Sequence, residues 1–288
     1  MAFPVGRTLS PTALARRHEL TVGGRTRRIG LPIAWSRFGG AQYAEPALAL
    51  AADTWTEMSR GEYAAVALFS RIAAALAFTG APLDLVSAAT RIPEDEIRHA
   101  DHALRAASML AGRDVAITFD AETSNAYWGR IESLEDLDGA MAELSAVDET
   151  LAAALMRACE DRASDPVVKS VFASLLADEV HHARIGWYYL SWRAPQWSRA
   201  ERQRVADRVG TVLVRMEAQY GQGRDAPPDA LRDARALGVL DTYSQREVVR
   251  RVVEDEIVPG LDALGLGASH AWNGRVRVES KTLTKAPE

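Results

Sequence analysis

Apolar residues first fall into a helical rhythm at Pro46. Leu48, Leu50, Ala51, Trp55, Met58, Val66, Phe69 and Ile72 recur at three- and four-residue steps until about Thr79, where Gly80 and Pro82 end the run. Glu62 stands in the middle of it, among Ala64, Ala65, Val66 and Leu68. A carboxylate on an apolar face needs a partner, because burying it unpaired costs several kcal/mol. A short helix is predicted over 83–91, and Pro93, at home in a first helical turn, opens another that runs to near Gly112. Residues 113–132, with Tyr127 and Trp128, read as a connection across a bundle. Ser133 with Asp136 is a capping-type start for a third long helix, about 134–162, and Asp165-Pro166 opens a fourth, about 166–192. Two further helices are predicted near 198–220 and 243–257, separated by 221–228.

Long alternating β-branched runs are scarce, so the pattern predicts an all-α fold. Residues 1–45 form an irregular N-terminal arm, in which 18–22 and 27–31 around Gly23-Gly24 read either as a short hairpin or as a loose extension. Residues 46–267 form the helical domain, with the later helices as additions to it. The polar stretch 268–288 is expected to be a disordered tail.

Within this frame one motif occurs twice. Asp95-Glu96-Ile97-Arg98-His99-Ala100 and Asp178-Glu179-Val180-His181-His182-Ala183 both read D-E-x-x-H-A. Residues three apart share a helix face, so Glu96 with His99, and Glu179 with His182, can grip one object. Glu62 stands 34 residues before Glu96, and Glu149 stands 30 before Glu179. Either spacing fits one helix, a turn and a return to the same depth. The chain thus carries Glu…Glu-x-x-His twice, a six-residue set for a dinuclear metal site. Asp178 with His181 is the competing pair, but aligning the motifs leaves His181 about 100° around the helix. Glu143 competes with Glu149 at a longer spacing. Asp255-Glu256 has Pro259 where a histidine would be needed, and reads as a surface feature.

Glu62, Glu96, His99, Glu149, Glu179 and His182 resemble the ligand set of the ferritin-like di-iron carboxylate proteins, over roughly residues 46–193. The D-E-x-R-H form at 95–99 is similar to the oxygen-activating branch. The resemblance implies a ferritin-like four-helix bundle, with these six residues as metal ligands and catalytic centre. It also implies two iron ions, or manganese with iron, reacting with O2. Asp95 and Asp178 are expected to hydrogen-bond the histidine of the opposite helix, Asp95 to His182 and Asp178 to His99. Arylamine N-oxygenases of this superfamily carry an additional histidine four residues before the last ligand glutamate; Leu175 stands there in this chain.

The donor set, four carboxylates and two imidazoles without thiolate, suits iron or manganese. The expected activity is an O2-dependent oxygenase or oxidase acting on a small organic molecule. The alternatives are a ferroxidase or iron-binding protein without an organic substrate, and a metal-free scaffold. Storage cages use chains of roughly bundle size, whereas the arm and the long C-terminal addition here could shape a substrate pocket. Small residues near Glu149 (Ser145, Ala146, Ala152, Ala153), with Trp55 and Phe69, are candidates for its lining; the alanines read equally well as good helix formers.

Composition narrows the partners. With 288 residues, 48% hydrophobic, the chain can bury a large core, and a net charge of −5 argues against nucleic acid. No uninterrupted apolar run approaches the ~18–20 residues of a membrane span. The N-terminal Arg7, Arg16 and Arg17 lack the apolar stretch of a secretory signal. Cys159 is the single cysteine, which excludes an internal disulfide and points to a cytoplasmic protein with a small buried helix residue there. The expected partners are a small-molecule substrate, an electron-donating reductase or ferredoxin, and a second copy of the chain as a homodimer.

Overall fold

The computed structural model describes residues 2–5, 33–120, 131, 133–221, 223–224 and 226–275. Among them the fold is all-α, apart from one two-stranded ribbon. Helix α1 (Glu45–Phe78) carries Pro46 in its first turn and is capped by Thr79, with Gly80 at φ 70° turning the chain back. Its buried stripe is Ala47, Ala51, Trp55, Glu62, Phe69, Ile72 and Leu76. The turn leads through α2 (Leu83–Ala89) into α3 (Ile92–Ala111), closed by Gly112 in the left-handed conformation that glycine adopts without strain. Helices α1 and α3 lie side by side over most of their length.

The next long helix begins with a capping box, in which Ser133 and Asp136 each satisfy the other's backbone N–H. It then changes character along its length. Helix α4 (Leu134–Ala140) passes into a π segment (Met141–Asp148) and returns to α geometry in α5 (Glu149–Arg162). Helix α6 (Pro166–Arg193) is capped by Asp165, whose carboxylate accepts from the backbone of Val167 and Val168. The π segment and α5 pack along α6, and α3 meets α6 between the two pairs.

Helices α7 (Arg199–Tyr220), α8 (Pro228–Ala236), α9 (Thr242–Val252), α10 (Val258–Ala263) and α11 (Ala268–Asn273) follow, with a second π turn, Val253–Ile257, joining α9 to α10. Helices α7 and α9 cover the α4–α5 side, while α8 packs on α1.

Three stretches differ from the sequence reading. The arm contains strand β1 (Ala2–Val5), antiparallel to β2 (Ile117–Asp120) in the connection after α3. Four residues with Pro4 among them are too few to show alternation, and a proline is tolerated only where its missing N–H is not needed. Helix α8 went unread because Pro227, Pro228 and Gly223 mask a nine-residue helix whose buried side is only Ala230 and Ala234. The expected tail begins as α11, which is anchored by buried Trp272; the Arg275 guanidinium lies 3.8 Å over the indole ring. The hairpin considered at 18–31, Tyr127 and Trp128 lie outside the described residues.

Helix α1 is long and apolar enough to cross a bilayer, with a mean hydropathy of 1.3 over its best 18 residues. Counting uninterrupted apolar residues passes over it because Arg60, Glu62 and Arg71 punctuate the run.

Candidate metal centre

The site forms where α3 and α6 meet, because the two D-E-x-x-H-A motifs lie at the same depth. Glu96, His99, Glu179 and His182 are all buried, and one ligand atom from each lies within 4.8 Å of the others. His99 Nδ1 is 2.8 Å from Glu179 Oε1 and 3.5 Å from Glu96 Oε2. His182 Nδ1 is 3.1 Å from Glu96 Oε1 and 3.7 Å from Glu179 Oε2. The outer carboxylates complete a near-symmetric set: Glu62 on α1 comes within 3.9 Å of His99 Nδ1, and Glu149, first residue of α5, within 3.9 Å of His182 Nδ1. The two rings are 5.6 Å apart.

Each ring's other nitrogen faces an acid from the opposite helix. His99 Nε2 lies 3.4 Å from Asp178 Oδ2, and His182 Nε2 lies 3.5 Å from Asp95 Oδ2. The resemblance implied hydrogen bonds across this pair of helices; His99 Nε2 is placed for one with Asp178, whereas His182 Nε2 lies close to Asp95 without an aligned hydrogen bond. An acid held there favours the tautomer with the proton on Nε2, which turns the Nδ1 lone pair toward the cluster.

Electrostatics define what the cluster lacks. Six carboxylates (Glu62, Asp95, Glu96, Glu149, Asp178 and Glu179) face one guanidinium and two imidazoles. Three negative charges would stay uncompensated even with both rings protonated. Burial, then repulsion from Glu96 and Glu179, pushes the Glu62 carboxyl well above its usual range, and the same two causes raise Glu149. Burial alone would lower His99 and His182. For His99, the nearby carboxylates of Asp178 and Glu179 outweigh it; for His182, those of Asp95 and Glu179 do, and both rings end well above the ordinary imidazole value. Without cations, then, the site holds protons.

Protons do not satisfy the geometry. Glu96 Oε2, Glu179 Oε1, His99 Nδ1 and His182 Nδ1 are buried, mutually close, and without an aligned hydrogen bond. An ion seated among them would satisfy all four without requiring donor–acceptor alignment, and would balance the carboxylates. The residues therefore fit a bound metal.

The competing residues fall elsewhere. His181 is exposed, and Glu143 is turned outward to Arg208. Asp255 and Glu256 are exposed, and Cys159 is buried with its thiol pushed up to about 12 by burial. Phe69 packs near His182, with ring centres 6.3 Å apart. Trp55 belongs to the core instead: its indole donates to the Leu237 carbonyl and its ring packs on Phe172 at 4.6 Å. Leu175 is wholly buried.

Sequence reasoning did not single out Arg98, which is 1% exposed. Its guanidinium donates to Asp178 at close range and to Asp95 Oδ1 at 3.4 Å, and it reaches Ser174 Oγ. One cation thereby ties together the two acids that orient the two histidines. The motif contained the signal: two acids beside buried ligands need a countercharge, and Arg98 is the basic residue inside the repeat. Its counterpart in the second motif is His181, so the near-symmetry is broken at this position. Ser145, named from the sequence only as a small residue near Glu149, proves to have a wholly buried hydroxyl without a hydrogen-bond partner, one turn before that carboxylate.

Comparison with family models, with curated proteins and with solved structures returns no match.

Proposed function

We propose that this chain holds a dinuclear non-haem iron centre in a ferritin-like four-helix arrangement of α1, α3, α5 and α6, and uses O2 to oxidise a small organic molecule. The observation that carries the reading is the set of four buried, unsatisfied ligand atoms of Glu96, His99, Glu179 and His182, flanked by Glu62 and Glu149. Glu96 and Glu179 each approach both rings, Glu62 approaches His99 and Glu149 approaches His182, and these four carboxylates with the two imidazoles would hold the metal. Oxygen and nitrogen donors without thiolate favour iron, or manganese with iron.

Bound iron would supply the electrons and open coordination positions that O2 chemistry requires. The protein's own contribution is to hold charge and exclude water. Asp95 and Asp178 keep the Nε2 protons in place, Arg98 fixes both acids, and the buried surroundings strengthen each of these interactions. The arm and the C-terminal helices, which a storage protein would not need, support an organic substrate.

The test combines elemental analysis of protein loaded anaerobically with ferrous iron and oxygen uptake during a screen of small organic substrates. The expected result is about two metal ions per chain and oxygen uptake that depends on the organic compound. Uptake that follows ferrous iron alone would make the protein a ferroxidase. No metal in the wild type, with Glu96→Ala and Glu179→Ala equally well folded, would overturn the reading.

A further inference from the structure

The ligand Glu149 is the first residue after the π segment. A π turn bonds i to i+5 in place of i+4, and it persists only where its surroundings hold it. Reverting Met141–Asp148 to α register would swing Glu149 by about 100° relative to α4. Three neighbouring features bear on that register. At Gly186 of α6, a Cβ would overlap the Ala146 nitrogen and the Ser145 carbonyl carbon, so the π backbone rests directly on the helix that carries His182. The Thr150 hydroxyl donates to the Ala146 carbonyl at 2.6 Å, inside the π segment. The same hydroxyl oxygen accepts from the Trp187 indole Nε1 at 3.0 Å. A hydroxyl has one proton to give and lone pairs to receive with, so the two bonds are compatible and each fixes the direction of the other. Trp187 has its own seat: a Cβ at Gly260 of α10 would meet its ring at 2.8 Å.

We propose that Thr150 is a positioning residue for Glu149: held by the Trp187 indole, its hydroxyl pins the π segment to α6 and so sets the direction from which Glu149 enters the metal centre. The inference rests on the metal-centre reading for its consequence, but not for the pin itself. The C-terminal helices take part through Gly260, which gives that addition a structural link to the metal centre.

The experiment compares wild type with Thr150→Val, which removes the hydroxyl and keeps the branched shape. Thr150→Ser keeps the hydroxyl, and Trp187→Phe removes the indole N–H. Two properties are read: amide hydrogen exchange over 141–149 in the metal-free protein, and ferrous iron affinity by competition with a chelator, with the Mössbauer spectrum of the loaded protein. Thr150→Val and Trp187→Phe are expected to exchange faster over that segment alone and to bind iron about tenfold more weakly, the usual effect of removing a partner behind a ligand. Their spectra should show one altered iron environment, and Thr150→Ser should match wild type. Wild-type exchange and iron binding in both Thr150→Val and Trp187→Phe would overturn the pin. If the wild type binds no iron, the metal-centre reading fails, while the exchange comparison still decides whether the π segment is pinned.

Discussion

Arg98 shows how much one side chain can carry in a buried polar site. Two carboxylates, Asp95 and Asp178, converge on it where water cannot screen them. Removing one partner of such a network leaves charge buried without compensation. Arg98→Met is therefore expected to lower apo-protein stability by about 3–5 kcal/mol, read from urea unfolding. Asp178→Asn acts differently, because the amide can still meet His99 while no longer favouring the ligand tautomer. Iron affinity should fall about 10- to 100-fold, with little change in the circular dichroism of the metal-free protein.

The titrating residues set a pH dependence. The folded-state values of His99 and His182 are raised, so their contribution to apo-protein stability is full below the unfolded imidazole value, ~6.5, and is lost as pH rises through the folded value. Glu62 and Glu149 are also raised and act in the same direction. Metal bound at these residues would displace their protons. Between about pH 6 and 8 the melting temperature of the metal-free protein should fall, and the gap between metal-loaded and metal-free protein should widen. Differential scanning calorimetry in both states checks this; a gap that narrows with pH would contradict it.

At the scale of elements, the decisive join is between the π segment and α6. Neither helix alone explains why Glu149 faces the cluster, since α4 and α5 are out of phase across the π turns. Gly186 allows the two backbones to touch. Gly186→Ala places a methyl group against backbone atoms that have no rotamer to escape into. It is expected to cost about 1–3 kcal/mol and to reduce iron bound per chain, whereas Gly61→Ala, with open space at its Cβ, should leave iron content unchanged. Thermal unfolding with metal analysis of the two variants separates a local effect at the join from a general effect of glycine replacement.

At the scale of the whole molecule, the candidate centre would act as a cross-link. Its six residues come from α1, α3, α5 and α6, so ions bound there would tie both helix pairs together. A ligand that binds only the folded state stabilises it by about 2.7 kcal/mol at a hundred times its dissociation constant. Iron loading should raise the melting temperature, and dialysis against a chelator should reverse the rise. Glu96→Ala, which removes a carboxylate near both rings, should abolish that response.

The sequence by itself determined the long helices, their caps and the repeated motif, because helical periodicity, capping residues and a three-residue ligand spacing are local properties of the chain. It also sets Asp95 and Asp178 at matching positions of the repeated motif, but that each faces a histidine of the opposite helix shows only in the structure. The tertiary structure alone decided the rest. Ribbon β1–β2 depends on a partner more than a hundred residues away. Helix α11 holds through one buried tryptophan, which no periodicity announces. The π segment meets a bare glycine of α6, the Thr150 hydroxyl and, through it, the Trp187 indole, three residues whose meeting no local pattern encodes. Arg98 became a shared countercharge only when packing removed the water that would otherwise have separated the acids from one another.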